Sequence, residues 1–236
     1  MKEKPTVVIT GGTGGLGTAL VRRLARGDAR LAVTYLIPHE AEAFERQVEL
    51  DEDRLLLRRV DATDADEVGA FLKTASSHFG SIDALCSLVG GWAGARDVEE
   101  TDDLRFERMI DLNLRSAFIA VRATIPYLRE AGAGRIILMG SRAVVDTPSG
   151  QVAFNIAKAG VVALAKTAAS ELDQTDVTAN VLMPSVIDTP ATRAALPFAD
   201  YVAWPTPDEI AAVIEYLLSP ASQVINGADI PVYGHT

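Results

Sequence analysis

The glycine-rich stretch from Thr6 to Gly17 has the residue types and spacing of a phosphate-binding turn. An apolar run over residues 7–9, typical of a buried parallel strand, precedes Gly11, Gly15 and Gly17 in the pattern T-G-x-x-x-G-x-G. Glycine permits positive φ and lets a pyrophosphate approach the backbone closely. A helix that begins near Gly15 would point its unpaired N–H groups at that phosphate. The stretch therefore predicts a dinucleotide site, with an ordinary glycine-rich turn as the alternative.

Strands and helices alternate along the rest of the chain and must position this turn. After the first strand, further strands are predicted at Arg30–Leu36, Leu55–Val60, Asp83–Val89, Arg135–Met139, Val177–Met183 and Ala228–Val232. Helices are predicted at Leu16–Ala25, Ala41–Leu50 (exposed), Asp64–Phe79, Asp102–Glu130, Val152–Leu172 and Asp208–Leu218, with 184–207 irregular. This alternation predicts an α/β fold in which helices cover both faces of a parallel sheet. With no linker or repeat, residues 1–236 are expected to form a single domain.

Composition narrows the class of protein. The 236 residues are 48% hydrophobic and carry a net charge of −10, which argues against a nucleic-acid partner. There is no apolar run of about 18 residues and no signal-like N-terminus, so we expect neither membrane insertion nor secretion. The single cysteine, Cys86, cannot form an internal disulfide and lies in an apolar run. A cytoplasmic location is the expectation.

The end of the second strand does not indicate which nicotinamide cofactor binds. In dinucleotide folds, an acidic residue there holds the adenosine ribose, whereas a basic residue accommodates a 2′-phosphate. Residues 35–39 read Tyr-Leu-Ile-Pro-His and carry neither signal. The choice between NAD and NADP stays open.

Several polar residues and one glycine follow strand ends or lie within helices, and their order along the chain is informative. They are Asp61, Gly90, Asn113, Ser141, Lys158, the segment Asn180–Pro184 and Thr189. Together with the glycine motif, they resemble the short-chain dehydrogenase/reductase family almost end to end. The resemblance implies a Rossmann-type doubly wound parallel sheet in three α/β/α layers and an NAD(P)-dependent oxidoreductase. Within that family, GGWAG at 90–94 and the segment 188–204 are similar to the dihydropteridine-reductase-like branch.

The resemblance implies a set of cofactor-binding residues and no metal. Asp61 would accept the adenine amino group, Lys158 would bind the nicotinamide ribose, and Thr189 would contact the carboxamide or a phosphate. Each has a structural alternative: a turn residue, a solvated helix lysine and a turn before a proline. The full set is Gly11, Thr13, Gly15, Leu16, Gly17, Asp61, Ala62, Gly90, Lys158, Pro184, Val186 and Thr189.

The resemblance also implies catalytic positions, and one of them departs from the family. Asn113 would support a water chain and Ser141 would hold the substrate carbonyl, although they could instead kink a helix and end a strand. The family's tyrosine lies four residues before the lysine, where this chain has Phe154, thirteen residues after Ser141. Phenylalanine can neither donate nor accept a proton. Elsewhere in the sequence, Tyr127, Tyr201, Tyr216 and Tyr233 do not replace it, and Tyr201 in the expected lid is only a weak candidate.

Phe154 leaves three interpretations open. A positioned general acid contributes roughly 10²–10⁴ in rate, so an ordinary ketone reductase would suffer from its loss. The acceptor could be quinonoid or iminium-like and need little protonation. The protein could bind NAD(P) without chemistry, as a pseudoenzyme or ligand sensor. Phe154 could also be a substitution introduced to trap a complex.

The substrate pocket is expected at the carboxyl ends of the strands. Its predicted lining is Gly91, Trp92, Ser141, Arg142, Val144, Phe154, Ser185 and the segment 189–204. Trp92 could stack on a flat ring, and Arg142 or Arg193 could pair with an acidic substrate; a core tryptophan and solvated arginines are the alternatives. The proline-rich segment at about 185–207 is predicted to be a lid over this small-molecule site.

Small residues on two helices predict self-association. They are Ala117, Ala120 and Ala123 on one helix and Ala157, Gly160, Ala163 and Ala168 on the helix of Lys158. Small side chains permit close helix approach, although packing against the chain's own sheet would use them equally well. Members of the resembled family associate through these helices, which implies a homodimer or homotetramer.

Overall fold

The computed structural model describes residues 4–199 and 201–235. Seven strands in this part of the chain form one sheet in the order β3-β2-β1-β4-β5-β6-β7, with every neighbouring pair parallel. The strands are β1 Thr6–Thr10, β2 Arg30–Tyr35, β3 Leu55–Arg59, β4 Ala84–Ser87, β5 Ala133–Met139, β6 Asp176–Pro184 and β7 Asp229–Val232. The strand order reverses between β1 and β4, which is where a doubly wound fold opens a ligand crevice.

Helices connect consecutive strands. They are α1 Gly15–Leu24, α2 Pro38–Glu45, α3 Ala65–Phe79, α4 Asp103–Ile110, α5 Ser116–Ala131, α6 Ala143–Asp146, α7 Val152–Glu171, α8 Pro190–Ala195 and α9 Pro207–Leu218. Short 3₁₀ turns lie at Val98–Glu100, Tyr201–Ala203 and Pro220–Ser222. A π-helical turn, Asp111–Arg115, joins α4 to α5.

The hydrophobic core lies on both faces of the sheet. Val7 and Ile9 of β1 pack into one buried cluster, with side chains of α1, α2 and α9. Val8 points to the opposite face, into a cluster with α3, α5 and α7. Successive side chains of β1 thus point to opposite faces and all are buried, as expected for a parallel sheet with helices on both faces. The predicted three-layer, doubly wound fold is confirmed.

The second helix differs from its prediction. It runs over Pro38–Glu45 rather than 41–50 and is not wholly exposed, because Ala41 and Phe44 are buried. Pro38 at the first helical turn explains the earlier start, since its missing N–H is one that no helical carbonyl would accept. Phe44 packs against the face of the sheet that also holds Ile9.

The predicted long helix over 102–130 is interrupted. From sequence, either Thr101 or Asp102 could cap its start; the cap is Asp102, whose Oδ1 accepts a hydrogen bond from the Arg105 N–H (2.8 Å). The chain then leaves α-helical geometry at the π turn Asp111–Arg115 and resumes as α5, in which Pro126 lies. A single inserted π turn leaves the apolar period nearly intact on either side, so the periodic pattern did not reveal it.

The predicted irregular segment 184–207 contains a helix that the sequence analysis missed. α8 begins with Pro190 at its first position, and Thr189 and Thr192 form a reciprocal capping box. The dipeptide Thr-Pro at a helix start was the available signal. Asp200, within the expected lid, lies outside the described residues.

Helix α7 is apolar enough to cross a membrane when judged by length and composition alone. Half of that apolar stretch is buried inside the molecule, and the helix carries the buried Lys158. These are the properties of a core helix packed on a sheet, and they account for its hydropathy.

Candidate active site

The glycine turn between β1 and α1 is held by its backbone. Gly11 has a φ of +69°, and its N–H donates to Thr34 Oγ1 (3.1 Å). The next N–H, of Gly12, donates to the Thr34 carbonyl (3.0 Å). A Cβ on Gly17 would lie 2.5 Å from the backbone of Gly12, so any side chain there would force the turn open. The backbones of the turn and of α1 are therefore in direct contact at Gly12 and Gly17.

The start of α1 is suited to an anion. Gly14 is its N-cap, and among the described residues no side chain caps it and no acidic residue occupies its first turn. The first N–H groups of an α-helix lack helical partners, so they are available to a phosphate. A Cβ on Gly15 would lie 3.0 Å from Thr189 Cγ2, which brings the two predicted cofactor residues together. Thr13 and Leu16 are buried beneath the turn. The residues present fit a dinucleotide pyrophosphate.

Asp61 and Ala62 follow β3 at the edge of the crevice. Asp61 Oδ1 accepts hydrogen bonds from the Thr63 hydroxyl (2.7 Å) and the Thr63 N–H (2.8 Å). These bonds hold the pKa of Asp61 below its usual value. The carboxylate thus forms the turn that was its structural alternative, and it stays ionised as the predicted contact to an adenine amino group requires.

An arginine lies beside the end of β2, where the local sequence carried no cofactor signal. The β2–β3 register places Arg59 opposite Tyr35. Arg59 Nε donates to the Leu36 carbonyl (3.2 Å), and its side chain is exposed. The sequence analysis missed this residue because it belongs to the neighbouring strand, and only the strand register brings it there.

Asn113, in the π turn, braces the loop that follows β4. Its Oδ1 accepts from the Gly91 N–H (3.1 Å), and its Nδ2 donates to the Gly91 carbonyl (3.0 Å) and the Met109 carbonyl (3.1 Å). A Cβ on Gly90 would lie 2.8 Å from Asn113 Oδ1 and 3.3 Å from Lys158 Nζ. The structure therefore brings Gly90, Gly91, Asn113 and Lys158 together, although they span 69 positions in sequence.

Lys158 is a buried cation at the carboxyl end of β5. Its Nζ donates to the Met139 carbonyl (2.8 Å). Burial lowers the pKa of Lys158 to about 8, because removal from water disfavours the ammonium form. An ammonium carries three N–H donors, so it retains capacity for ribose hydroxyls. The alternative of a solvated helix lysine is wrong.

Phe154 occupies the position expected for a catalytic tyrosine, one turn before Lys158 on α7. Lys158 Nζ lies 5.8 Å from the centroid of the Phe154 ring. Ser141, two residues beyond Met139, is nearly buried, and its Oγ accepts from the Ala143 N–H (3.1 Å). That bond occupies a lone pair of Oγ and leaves its O–H available to donate to an acceptor oxygen.

Trp92, in the loop that follows β4, has 53% of its surface exposed and is not a core residue. Its Nε1–H donates to Gln151 Oε1 (2.6 Å), and Gln151 Nε2 donates to Asn155 Oδ1 (3.1 Å). The indole is thereby fixed to the first turn of α7, near Phe154. Gln151 was missed from sequence because its partner lies 59 residues away.

The two arginines proposed for an acidic substrate are both paired within the chain. Arg142 Nε bonds Asp146 Oδ2 (2.7 Å), and Arg193 binds Asp188 through two nitrogens, one at 2.7 Å. Each positive charge is thus compensated before a substrate arrives. The structure does not support ionic selection of an acidic substrate by either side chain.

The residues after β6 turn toward the segment that follows β7. The Pro184 carbonyl accepts from the Arg142 N–H (2.8 Å), and Ser185 Oγ donates to the Tyr233 carbonyl (2.7 Å). Val186 is half-buried between Ser185 and the lid. Ser185 thus connects to the chain beyond β7, a contact that the sequence did not indicate. Among the described residues there is no cluster of three or more metal-ligating side chains.

Comparison with known proteins identifies the family. Residues 5–198 match the family model described as short chain dehydrogenase. The chain therefore belongs to the short-chain dehydrogenase family, and it is an oxidoreductase of a family that uses NAD(P).

Particular relatives span nearly the whole chain. The 3-oxoacyl-[acyl-carrier-protein] reductase MabA of Mycobacterium tuberculosis is 33% identical, covering 97% of this chain and 91% of the relative. The D-threitol dehydrogenase of Mycolicibacterium smegmatis is 30% identical, covering 96% and 90%. A short-chain type dehydrogenase/reductase from Mycobacterium ulcerans has the same fold, with a TM-score of 0.92 at 21% identity, covering 100% of this chain and 90% of that one.

Proposed function

We propose that this protein transfers a hydride between NAD(P) and a small carbonyl, quinonoid or iminium acceptor, with unconventional proton transfer. The observation that carries the proposal is the gathering of Ser141, Phe154 and Lys158 at the carboxyl end of β5. A protein that only bound nucleotide would have little use for an oriented Ser141 hydroxyl beside that site. The names of the relatives, a 3-oxoacyl reductase and a D-threitol dehydrogenase, support a carbonyl and alcohol pair as substrate and product.

The chain's own residues bind and orient the reactants. The glycine turn and the first N–H groups of α1 would hold the pyrophosphate, and the Lys158 ammonium would hold the nicotinamide ribose. When bound, the cofactor supplies the hydride. The Ser141 hydroxyl would donate to a carbonyl or quinonoid oxygen and so orient the acceptor. Trp92 and the Phe154 ring form apolar walls on which a flat acceptor can stack.

Phe154 determines which acceptors suit this site. A ketone that receives a hydride becomes an alkoxide and needs a proton at once, which Phe154 cannot give. A quinonoid acceptor spreads the charge that the hydride brings, so the hydrogen bond from Ser141 suffices. An iminium acceptor becomes a neutral amine when it receives the hydride and needs no proton. The likeness of segments 90–94 and 188–204 to the dihydropteridine-reductase-like branch favours such acceptors and is itself part of the proposal.

The test compares the protein with its Phe154→Tyr variant. NADH and NADPH oxidation is followed with matched ketone, quinone and pterin-like acceptors. We expect turnover of a quinonoid acceptor by both proteins, and a gain of about 10²–10⁴ in ketone reduction in the variant alone. Ketone reduction at equal rates by both proteins would contradict the role given to position 154.

A nucleotide-binding protein without catalysis is the second candidate function, and Phe154 is the observation that favours it. Tight binding of NADH or NADPH with no turnover of any acceptor, in either the protein or Phe154→Tyr, would establish it. In that case Lys158 and the glycine turn keep the binding roles given above.

We also propose that the protein forms a homodimer or homotetramer and works in the cytoplasm. A groove of about 650 Å³ lies between α5 and α7, with Phe118, Gly160 and Ala163 in its lining. Of the small residues singled out from sequence, Ala117, Ala120, Ala157 and Ala168 are buried in the chain's own core, and Ala123 packs against that core. Gly160 is packed against Leu114, so the exposed Ala163 and Phe118 carry the proposal.

Light scattering tests this association. We expect a dimer or tetramer for the protein and a smaller mass for Phe118→Glu. The exposed Val224, on a distant loop, provides the matched control Val224→Glu, which should keep the native mass. A monomer mass for the unmodified protein would overturn the proposal.

A further inference from the structure

The short segment 233–235, which follows β7, contacts three separate parts of the candidate acceptor pocket. The Tyr233 carbonyl accepts from Ser185 Oγ (2.7 Å). The Arg142 guanidinium lies over the Tyr233 ring, 5.1 Å from its centroid. The His235 N–H donates to the Ala203 carbonyl, at the far end of the lid (2.9 Å). Sequence reasoning gave this segment no role.

Gly234 packs closely against the backbone of the lid. It has a φ of +69°, and a Cβ there would lie 2.5 Å from the Ala203 carbonyl oxygen and 2.8 Å from the Pro205 nitrogen. The Pro205 carbonyl in turn accepts from the Asp188 N–H (3.0 Å), which joins the two ends of the lid. The segment therefore passes against the closed base of the lid in a space that only glycine fills without strain.

Tyr233 supports the turn that carries Ser141. Arg142 follows Ser141 directly, its N–H is bonded to Pro184, and its guanidinium is bonded to Asp146. The Tyr233 ring lies against that guanidinium and also packs on the buried cluster beneath α7. A cation held over a ring gains attraction from the ring's negative face, so the ring limits where Arg142 can move.

We propose that residues 233–235 act as a strap that holds the lid and the Ser141 turn in one fixed relation, and that Tyr233 is thereby a positioning residue for the acceptor. The proposal rests on the acceptor site described under the proposed function. The strap holds the pocket through Ser185, Arg142 and Ala203. None of its described contacts is with the glycine turn, although the lid that it holds carries Thr189, which lies beside Gly15. Loosening the strap should therefore weaken acceptor binding more than nucleotide binding.

Proteolysis of the lid tests the strap without any turnover. Arg193 is the only lysine or arginine between residues 185 and 207, so trypsin reports on this lid at one site. We expect Gly234→Ala to raise the cleavage rate at Arg193 by about tenfold, as loss of one or two hydrogen bonds would. The matched control is Gly132→Ala, a glycine with a φ of +71° whose Cβ would meet nothing within 4 Å among the described residues. Equal cleavage rates in the two variants would overturn the strap.

Kinetics test the positioning role of Tyr233. Tyr233→Ala should raise the acceptor KM by about tenfold, with smaller changes in kcat and in the nucleotide Kd. Tyr233→Phe keeps the ring and the carbonyl and should restore the KM of the unmodified protein. A loss in Tyr233→Phe equal to that in Tyr233→Ala would assign the effect to the hydroxyl and overturn the proposal. Absence of turnover in all three proteins would contradict the proposed function, while the trypsin result would still decide the strap.

Discussion

The nucleotide half and the acceptor half of this crevice are built on different principles. The glycine turn is defined by backbone: Gly17 packs on Gly12 at a distance no Cβ allows, and α1 presents its own N–H groups. The acceptor half depends on individual side chains, among them Phe154, which stands where the family resemblance implies a tyrosine. Under the proposed function, main-chain geometry keeps nucleotide binding while the missing hydroxyl at position 154 changes the proton transfer.

The largest effect is expected from a side chain added to the glycine turn, because this tests whether main-chain geometry there binds the nucleotide. Gly15→Val places a branched side chain against Thr189 and into the space of the pyrophosphate. We expect the affinity for both NADH and NADPH to fall by about 10³-fold, or ~4 kcal/mol, in a calorimetric titration. Gly69→Ala on α3, where a Cβ meets nothing within 4 Å among the described residues, is the control and should bind normally. Undiminished affinity in Gly15→Val would remove the nucleotide assignment.

Lys158, at the boundary of the two halves, predicts a pH dependence of stability. Burial lowers its pKa from 10.5 to about 8, so between these values the unfolded chain holds the proton and the folded chain does not. Stability of the nucleotide-free protein should therefore gain up to about 3 kcal/mol from this group as pH rises from 8 to 10.5. Lys158→Met should lack that gain.

Denaturant unfolding at pH 7.5 and pH 10 gives, for each protein, the change in unfolding free energy between the two pH values. The difference between these two changes is the contribution of Lys158. All other titrating groups are shared and cancel. Parallel changes in the two proteins would show that Lys158 keeps an ordinary pKa in the folded state.

In the nucleotide half, one side chain is also expected to matter: Arg59, for the choice between NADPH and NADH. Its guanidinium lies beside the end of β2, so we expect it to favour the 2′-phosphate of NADPH. Arg59→Ala should weaken NADPH binding by about tenfold, or ~1.4 kcal/mol, with NADH binding unchanged. Arg58→Ala, on the adjacent exposed arginine, is the control. An equal loss for both nucleotides would contradict a role in selectivity.

The smallest effect is expected away from the crevice. Asp64 caps α3 by accepting from the N–H groups of Asp66 (2.8 Å) and Glu67 (3.0 Å). Asp64→Ala should cost about 1 kcal/mol of unfolding free energy and change neither nucleotide affinity nor turnover. A change in nucleotide affinity would show that α3 is coupled to the crevice.

The fold was largely predictable from sequence because most strands contain a short apolar run and alternate with helices along the chain. The predicted helix starts at Asp64 and Asp102 coincide with the observed N-caps of α3 and α4. The π turn and α8 were not predicted from sequence. The π turn scarcely alters the apolar period, and α8 is only six residues long.

The candidate site was predictable where the family pattern fixes spacing, as for Asn113, Ser141 and Lys158. The hydrogen bonds of Trp92 with Gln151, of Arg59 with Leu36 and of Ser185 with Tyr233 were not predictable. They join residues from distant parts of the chain, and only strand register and loop packing bring them together. No local pattern encodes such pairs.

The π turn over Asp111–Arg115 has a consequence for how this chain can change in evolution. Leu112 contacts Gly91 at the pocket, whereas Leu114 contacts Gly160 on the groove side of α7. A π turn holds one more residue than an α-helical turn, so deleting one residue would restore a regular α-helix and leave α4 and α5 in nearly the same orientation. The residues within the turn would change position, and Asn113 would lose its hydrogen bonds with Gly91. The extra residue therefore lets the helix continue in one direction while Asn113 turns toward the crevice, and a one-residue deletion here should disturb the candidate site far more than the fold.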